Sequence, residues 1–402
     1  MQLIERIACS ISAALLLLIP NSVWAFKFNP CLRVLVYDKY VLEQEKIKLF
    51  NPCSEAPEPL RPAAVHEHMT NFTIDEYRGS GFLANTAKLP ANAKSSRQVF
   101  NYMADPAWTK SPATTVHNTH AIIFGSWWND DPLMYTWGSG KDFRDSLGKL
   151  KRQFENTSAY YDGGVAMCRV AAKDFLGWSS HFGPLQYLHF MTNLDTHHSD
   201  RERLDDTLEK SLGWIEFAYK AATGVLPPTA PLTVQDEQHL SLPSIARNYC
   251  LSNHSNAKIR TLFARAGVPI TLRDQRTPDV ALGSIFHIIQ DSFSPAHTCR
   301  TEMRVNGRYV AALSRVYNYN DEKDHKRHGR LDSYPGWLLT YAKAGEHVYA
   351  NDPIVVGAWL LQAVDAKTPW DEVKAHLLES VFIKQAETSA AGQSPCIGQR
   401  SL

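Results

Sequence analysis

Beyond its first 25 residues this 402-residue chain has no run of eighteen apolar residues. That excludes a hydrophobic helix long enough to cross a bilayer. It also lacks a C-x2-C pair, so its cysteines do not read as zinc ligands, and it lacks G-x-S-x-G, so no serine nucleophile stands on a strand-to-helix elbow. Net charge is almost absent: 42 Lys and Arg against 41 Asp and Glu leave +1. A chain without a basic excess does not bind nucleic acid chiefly by charge, although a site that holds its own cations can still act on a phosphate. Strand signals are sparse, and no internal repeat or second composition divides the chain.

The N-terminus carries Arg6, an apolar stretch from Ile7 to Pro20, and Val23-Trp24-Ala25 as a small-residue cleavage signal. Residues 1–25 are therefore expected to be a Sec-type signal peptide, and the protein to be secreted or periplasmic. Of the seven cysteines, Cys9 lies in that segment. Cys31, Cys53, Cys168, Cys250, Cys299 and Cys396 remain, an even number suited to an oxidising space. Up to three disulfides are expected. Spacing leaves their pairing open, with Cys31 to Cys53 closing the shortest loop.

The most informative stretch is His287-Ile-Ile-Gln-Asp291-Ser-Phe-Ser-Pro295-Ala-His297. If residues 279–292 are helical, His287 and Asp291 stand one turn apart on one face and can grip one ion. Pro295 cannot continue the helix, so His297 is presented from another direction. A second i, i+4 pair follows in Asp324-His325-Lys-Arg-His328-Gly-Arg-Leu-Asp332, namely His328 and Asp332. Imidazole and carboxylate are the usual zinc donors outside thiolate sites. His325 reads as part of the surrounding surface charge run.

The spacing H-x3-D-x3-P-x-H followed by H-x3-D resembles the zinc-dependent phospholipase C and single-strand nuclease superfamily, within it most closely the secreted metallophospholipases C of Gram-negative bacteria. Further candidates follow in the same order along the chain: His66 or His68 in His66-Glu67-His68, Asp130 or Asp131 after Trp128-Asn129, and His189 in Leu188-His189-Phe190. The resemblance implies two or three zinc ions. One would take Asp130, His189, His287 and Asp291, a second His297, His328 and Asp332, and a third His66 with the bridging Asp291. In the family the third ion is completed by an N-terminal tryptophan. Here Phe26 would be the first mature residue, forty positions before His66. Asp130 and His189 are also separated by a long insertion, residues 132–187. Asp130 is the carboxylate expected beside the attacking water. His117 and His120 are candidates for groups supporting the ligands, and His197 and His198 read as a solvated loop.

Helical patterning runs through 141–156, 207–222, 242–249, 255–266, 280–292, 336–347, 353–366 and 370–389. The expected fold is all-α: a multi-helix domain over residues 61–390 around a di- or trinuclear zinc site. It would carry an irregular N-terminal appendage and linker over 26–60 and a tail over 391–402. The resemblance implies a phospholipase C acting at membrane surfaces. It would hydrolyse phosphatidylcholine-like lipids to diacylglycerol and a phosphoalcohol by attack of metal-bound hydroxide. The alternatives are a secreted nuclease or nucleotidase on the same cluster, and a non-catalytic zinc-binding protein. Oligomeric state is not legible in the sequence.

Overall fold

The computed structural model describes residues 65–78, 117, 119–130, 161–162, 165–166, 180–181, 183–232, 257–263, 270–320, 331, 334–385 and 395–397. The expected signal peptide, the appendage, Cys31, Cys53, Cys168 and Cys250, and most of the 132–187 insertion lie outside them.

The described part is mostly helical. In chain order it comprises α1 (Val65–Tyr77), α2 (Thr119–Gly125), a two-residue ladder of β1 (Tyr161–Asp162) with β2 (Val165–Ala166), and a 3-10 turn (Gln186–His189). Helices α3 (Asp200–Ala222), α4 (Ile259–Phe263) and α5 (Ile270–Asp291) precede the hairpin of β3 (Thr298–Val305) and β4 (Arg308–Val316). Helices α6 (Gly336–Ala344), α7 (Pro353–Asp365) and α8 (Trp370–His376) follow, the last continuing into a π-helical turn, Leu377–Val381.

The β3–β4 hairpin corrects the all-α expectation. Its signal is Asn306-Gly307, and both residues adopt positive φ (50° and 79°), as a two-residue type I′ turn requires. The alternation around it is blurred by Ala311-Ala312, a pair that suits a helix as well as a strand. Helix boundaries also shift, three of them by well over one turn. Helix α3 starts at Asp200 because Ser199 caps it with Glu202 in a reciprocal capping box. Helix α5 starts nine residues before the predicted 279, running through Pro278. The 370–389 prediction overran: the α-helix ends at His376, and the chain then crosses to β4, where Leu313 N–H donates to Ile383 O at 2.7 Å.

Helix α5 is the axis of the core, packed by α1, α2, α3, α4 and α7. Ile285, Phe286, Ile288 and Ile289 are buried on it, but so are Ser284, His287, Gln290 and Asp291. A helix buried all round must find partners for such polar groups inside the protein. Its closest neighbour is α2, which crosses it glycine to glycine. A Cβ on Gly283 would lie 2.1 Å from Ile122 O, and one on Gly125 2.3 Å from Val280 O. Only hydrogen fits at either position.

One disulfide is described, Cys299–Cys396, which holds the C-terminal segment against β3; Ile397 N–H donates to Arg300 O at 2.7 Å beside it. Arg300 is fully buried and closes the C-terminal end of α5. Its guanidinium donates to Ser292 O (2.6 Å), Ala311 O (2.6 Å) and Val381 O (3.0 Å) and lies over the Phe293 ring. A cation at that end also complements the helix dipole.

Two imidazole bridges tie the outer helices together. His117 bonds Asp279 on α5 (2.9 Å) and Asp365 on α7 (2.8 Å), so it does not stand beside the predicted ligands as the sequence suggested. His347 bonds Asp352, the N-cap of α7 (2.7 Å), and lies 3.6 Å from Glu76 on α1. Burial lowers both imidazoles, but the bonds to and charge of these carboxylates outweigh it and raise both above the ordinary histidine value. The folded state therefore holds more protons than the unfolded chain, and stability falls as pH rises from about 6.5 through the raised values. The expected result is a melting temperature that declines over that window, with a shallower slope in His117→Gln/His347→Gln. An identical slope in the double variant would disprove the assignment.

Candidate metal centre

Four histidines meet around Asp291. His287 Nε2 lies 2.9 Å from Asp291 Oδ2 and 2.9 Å from His189 Nδ1, which is itself 3.0 Å from Asp291 Oδ2. His66 Nε2 is 3.4 Å from Asp291 Oδ1, and His297 Nδ1 is 3.5 Å from Oδ2. Donor atoms bonded at about 2.0–2.1 Å to one ion are themselves spaced about 3.0–3.4 Å apart. The closest of these separations fall at or just below that range, and Asp291 Oδ1 makes no hydrogen bond.

The other ring nitrogens explain why these imidazoles face inward. His287 Nδ1 is 2.7 Å from Ser126 O, His297 Nδ1 is 2.6 Å from His189 O, and His66 Nδ1 is 2.6 Å from Gln290 Oε1. In His66 and His287 the Nδ1 proton thus points to an oxygen and leaves the Nε2 that faces Asp291 with a lone pair for a cation, whereas His297 turns Nδ1 to His189 O and, at 3.5 Å, toward Asp291 Oδ2. Gln290 is fixed in turn through Nε2, which donates to Thr70 Oγ1 at 3.0 Å.

Among the described residues, two groups have donor atoms converging closely enough to hold a metal ion: His66 with His287 and Asp291, and Asp130 with His181 and His189. Asp130 Oδ1 is 3.8 Å from His181 Nε2 and 3.9 Å from His189 Nδ1, while Oδ2 is 3.9 Å from His287 Nδ1. Because His189 also touches His287 and Asp291, the two groups abut. None of the seven donors, counting His297, is more than 2% exposed.

Local structure sets each ligand. The α2–α5 crossing at Gly125 and Gly283 brings Ser126 O onto His287 and starts the turn that ends at Asp130. A buried relay holds the residues beside Asp130 and His189: Trp214 Nε1 donates to Ser284 Oγ, Ser284 Oγ to Asn129 Oδ1, and Asn129 Nδ2 to Leu188 O. Phe190, directly after His189, is a buried aromatic at φ 50°, a conformation that costs about 1–3 kcal/mol. It is held there by stacking on Phe382, 5.1 Å away. That bend directs His189 O to His297.

Burial without a counter-charge pushes Asp291 well above the carboxylate range, and burial holds His66, His189 and His297 well below the histidine range. Burial likewise lowers His287 to about 3. Neutral imidazoles are the form that ligates, and a divalent cation held here would supply a charge opposite the buried carboxylates of Asp291 and Asp130.

Of the predicted ligands, the structure brings together His66, Asp130, His189, His287, Asp291 and His297. His328 and Asp332 lie outside the described residues, as do Asp131 and His325. His68, the alternative to His66, hydrogen-bonds Tyr334 OH at 2.7 Å instead. His197 and His198 are exposed in the turn before α3. His181 escaped the sequence reading, although His181-Phe182 is the same dipeptide as His189-Phe190 and eight residues from it. The partition also differs from the one implied by the resemblance, since His66 groups with His287 and Asp130 with His181. No helix of the described residues is long and apolar enough to cross a membrane. No family model, curated protein or solved structure matches the chain.

Proposed function

We propose that the protein is an exported zinc-dependent phosphodiesterase, a phospholipase C that cleaves phosphatidylcholine-like lipids to diacylglycerol and a phosphoalcohol. The observation that carries the reading is the convergence of His66, His189, His287 and His297 on Asp291, with Asp130 and His181 alongside. Zinc bound there would acidify water and neutralise phosphoryl oxygens. Asp130, beside His181 and His189, would orient that water and take its proton, then return it to the diacylglycerol oxygen as the P–O bond breaks. The remaining support is the H-x3-D-x3-P-x-H and H-x3-D order and the N-terminal export signal.

A second reading, a non-catalytic protein in which the cation is structural, is favoured by the near-complete burial of all seven donors. The deciding experiment is phosphocholine release from phosphatidylcholine by zinc-loaded protein, beside hydrolysis of single-stranded DNA, each with and without chelator. Chelator-sensitive lipid cleavage is expected. DNA cleavage alone would make it a nuclease, and no hydrolysis of either would favour the structural reading.

A further inference from the structure

Five large apolar side chains are exposed among the described residues, Val225, Ile270, Met303, Tyr309 and Leu378. Met303 (36% exposed) and Tyr309 (44%) share one feature, the tip of the β3–β4 hairpin. Arg304 stands opposite Tyr309 and Arg308 opposite Val305, and both arginines are exposed. The Arg304 guanidinium sits 4.8 Å from the Tyr309 ring centroid. Neither arginine forms an ion pair with a described carboxylate. The root of the hairpin is covered, with Ile397 against Arg300 and Ile383 and Gln385 paired with Leu313, and one backbone edge of the tip is held by Ala350 N–H, which donates to Tyr309 O while the Tyr309 side chain stays exposed.

A thioether, a tyrosine ring and two exposed guanidinium groups with no carboxylate partner among the described residues, all around one turn, suit a boundary between water and lipid. The tyrosine ring rests at headgroup depth with its hydroxyl in water, and the arginines pair with phosphates. We propose that this tip docks the protein on an anionic lipid surface, Met303 and Tyr309 entering the interface and Arg304 and Arg308 binding lipid phosphate. The inference rests on the lipid substrate proposed above. Eight residues of strand place the tip about 25 Å from His297, so it tethers the molecule without contributing to the metal centre.

The test is co-sedimentation of the full protein with vesicles of phosphatidylcholine alone and of phosphatidylcholine with phosphatidylserine. Arg304→Gln/Arg308→Gln is expected to weaken binding to the mixed vesicles about 25-fold, roughly fivefold per arginine, and to flatten its salt dependence. Met303→Ser/Tyr309→Ser should weaken binding to both vesicle types. In both variants the melting temperature and the hydrolysis of a water-soluble phosphocholine ester should match the parent. Unchanged vesicle binding in both variants, no vesicle binding by the parent, or tip-dependent binding of single-stranded DNA in place of vesicles would overturn the proposal. If the parent binds vesicles through the tip but releases no phosphocholine, the docking surface stands and the phospholipase reading falls.

Discussion

Asp291→Asn is expected to lower phosphodiester hydrolysis at least about 100-fold and to remove zinc from the protein without unfolding it. The lower bound is set by what replacing groups that merely orient a ligand costs a metal site, about 10–100-fold. Asp291 is more than such a group, since its two oxygens face His66 on one side and His189, His287 and His297 on the other. An amide keeps the shape but offers one oxygen and no charge. Without a cation, burial holds this carboxyl well above its ordinary value, so removing the charge relieves a cost. The metal-free variant should therefore melt no lower than the metal-free parent, whereas zinc should raise the melting temperature of the parent alone. An Asp291→Asn protein that still binds zinc stoichiometrically and retains activity would contradict this role for Asp291.

Gly283→Ala is expected to cost about 3 kcal/mol or more, the upper end for overpacking a core. The sign makes the experiment decisive. On an exposed helix the same change stabilises by about 1 kcal/mol, because alanine forms helix better than glycine. Here the new methyl would lie 2.1 Å from Ile122 O and 2.6 Å from the Gly125 Cα, both backbone atoms that cannot swing aside. Helices α2 and α5 must separate, and Ser126 O then leaves His287 Nδ1, which it now meets at 2.7 Å. Zinc affinity should drop together with stability. Denaturant titration showing a more stable variant would mean that the two helices do not cross here.

The centre was partly legible because helix geometry is local. His287 and Asp291 share a face at i, i+4, and Pro295 sends His297 another way, so three donors could be placed from eleven residues. Helix α7 was legible for the same reason, its apolar periodicity following the Asp352 cap, and so was α6 except for its end, which Gly345 sets three residues before the predicted 347. His181 and the β3–β4 hairpin were missed on weaker signals. The His181-Phe182 dipeptide has a twin eight residues later, and a pattern choosing one gives no reason to keep both. Asn306-Gly307 lay between the two metal-ligand motifs, where helix-compatible alanines hid the alternation. What no local rule could supply is the support: Gly125 opposite Gly283, Trp214 reaching Asn129 through Ser284, and His117 bridging Asp279 and Asp365. Each joins residues at least 70 positions apart, and only the folded chain brings them together.

The most direct test is elemental analysis of the purified, dialysed full-length protein, with its crystals measured at wavelengths on either side of the zinc absorption edge. The account predicts at least two zinc ions per chain, with anomalous density between His66, His287 and Asp291 and between Asp130, His181 and His189. Protein that retains its fold but carries no stoichiometric metal, even after incubation with zinc, would contradict it.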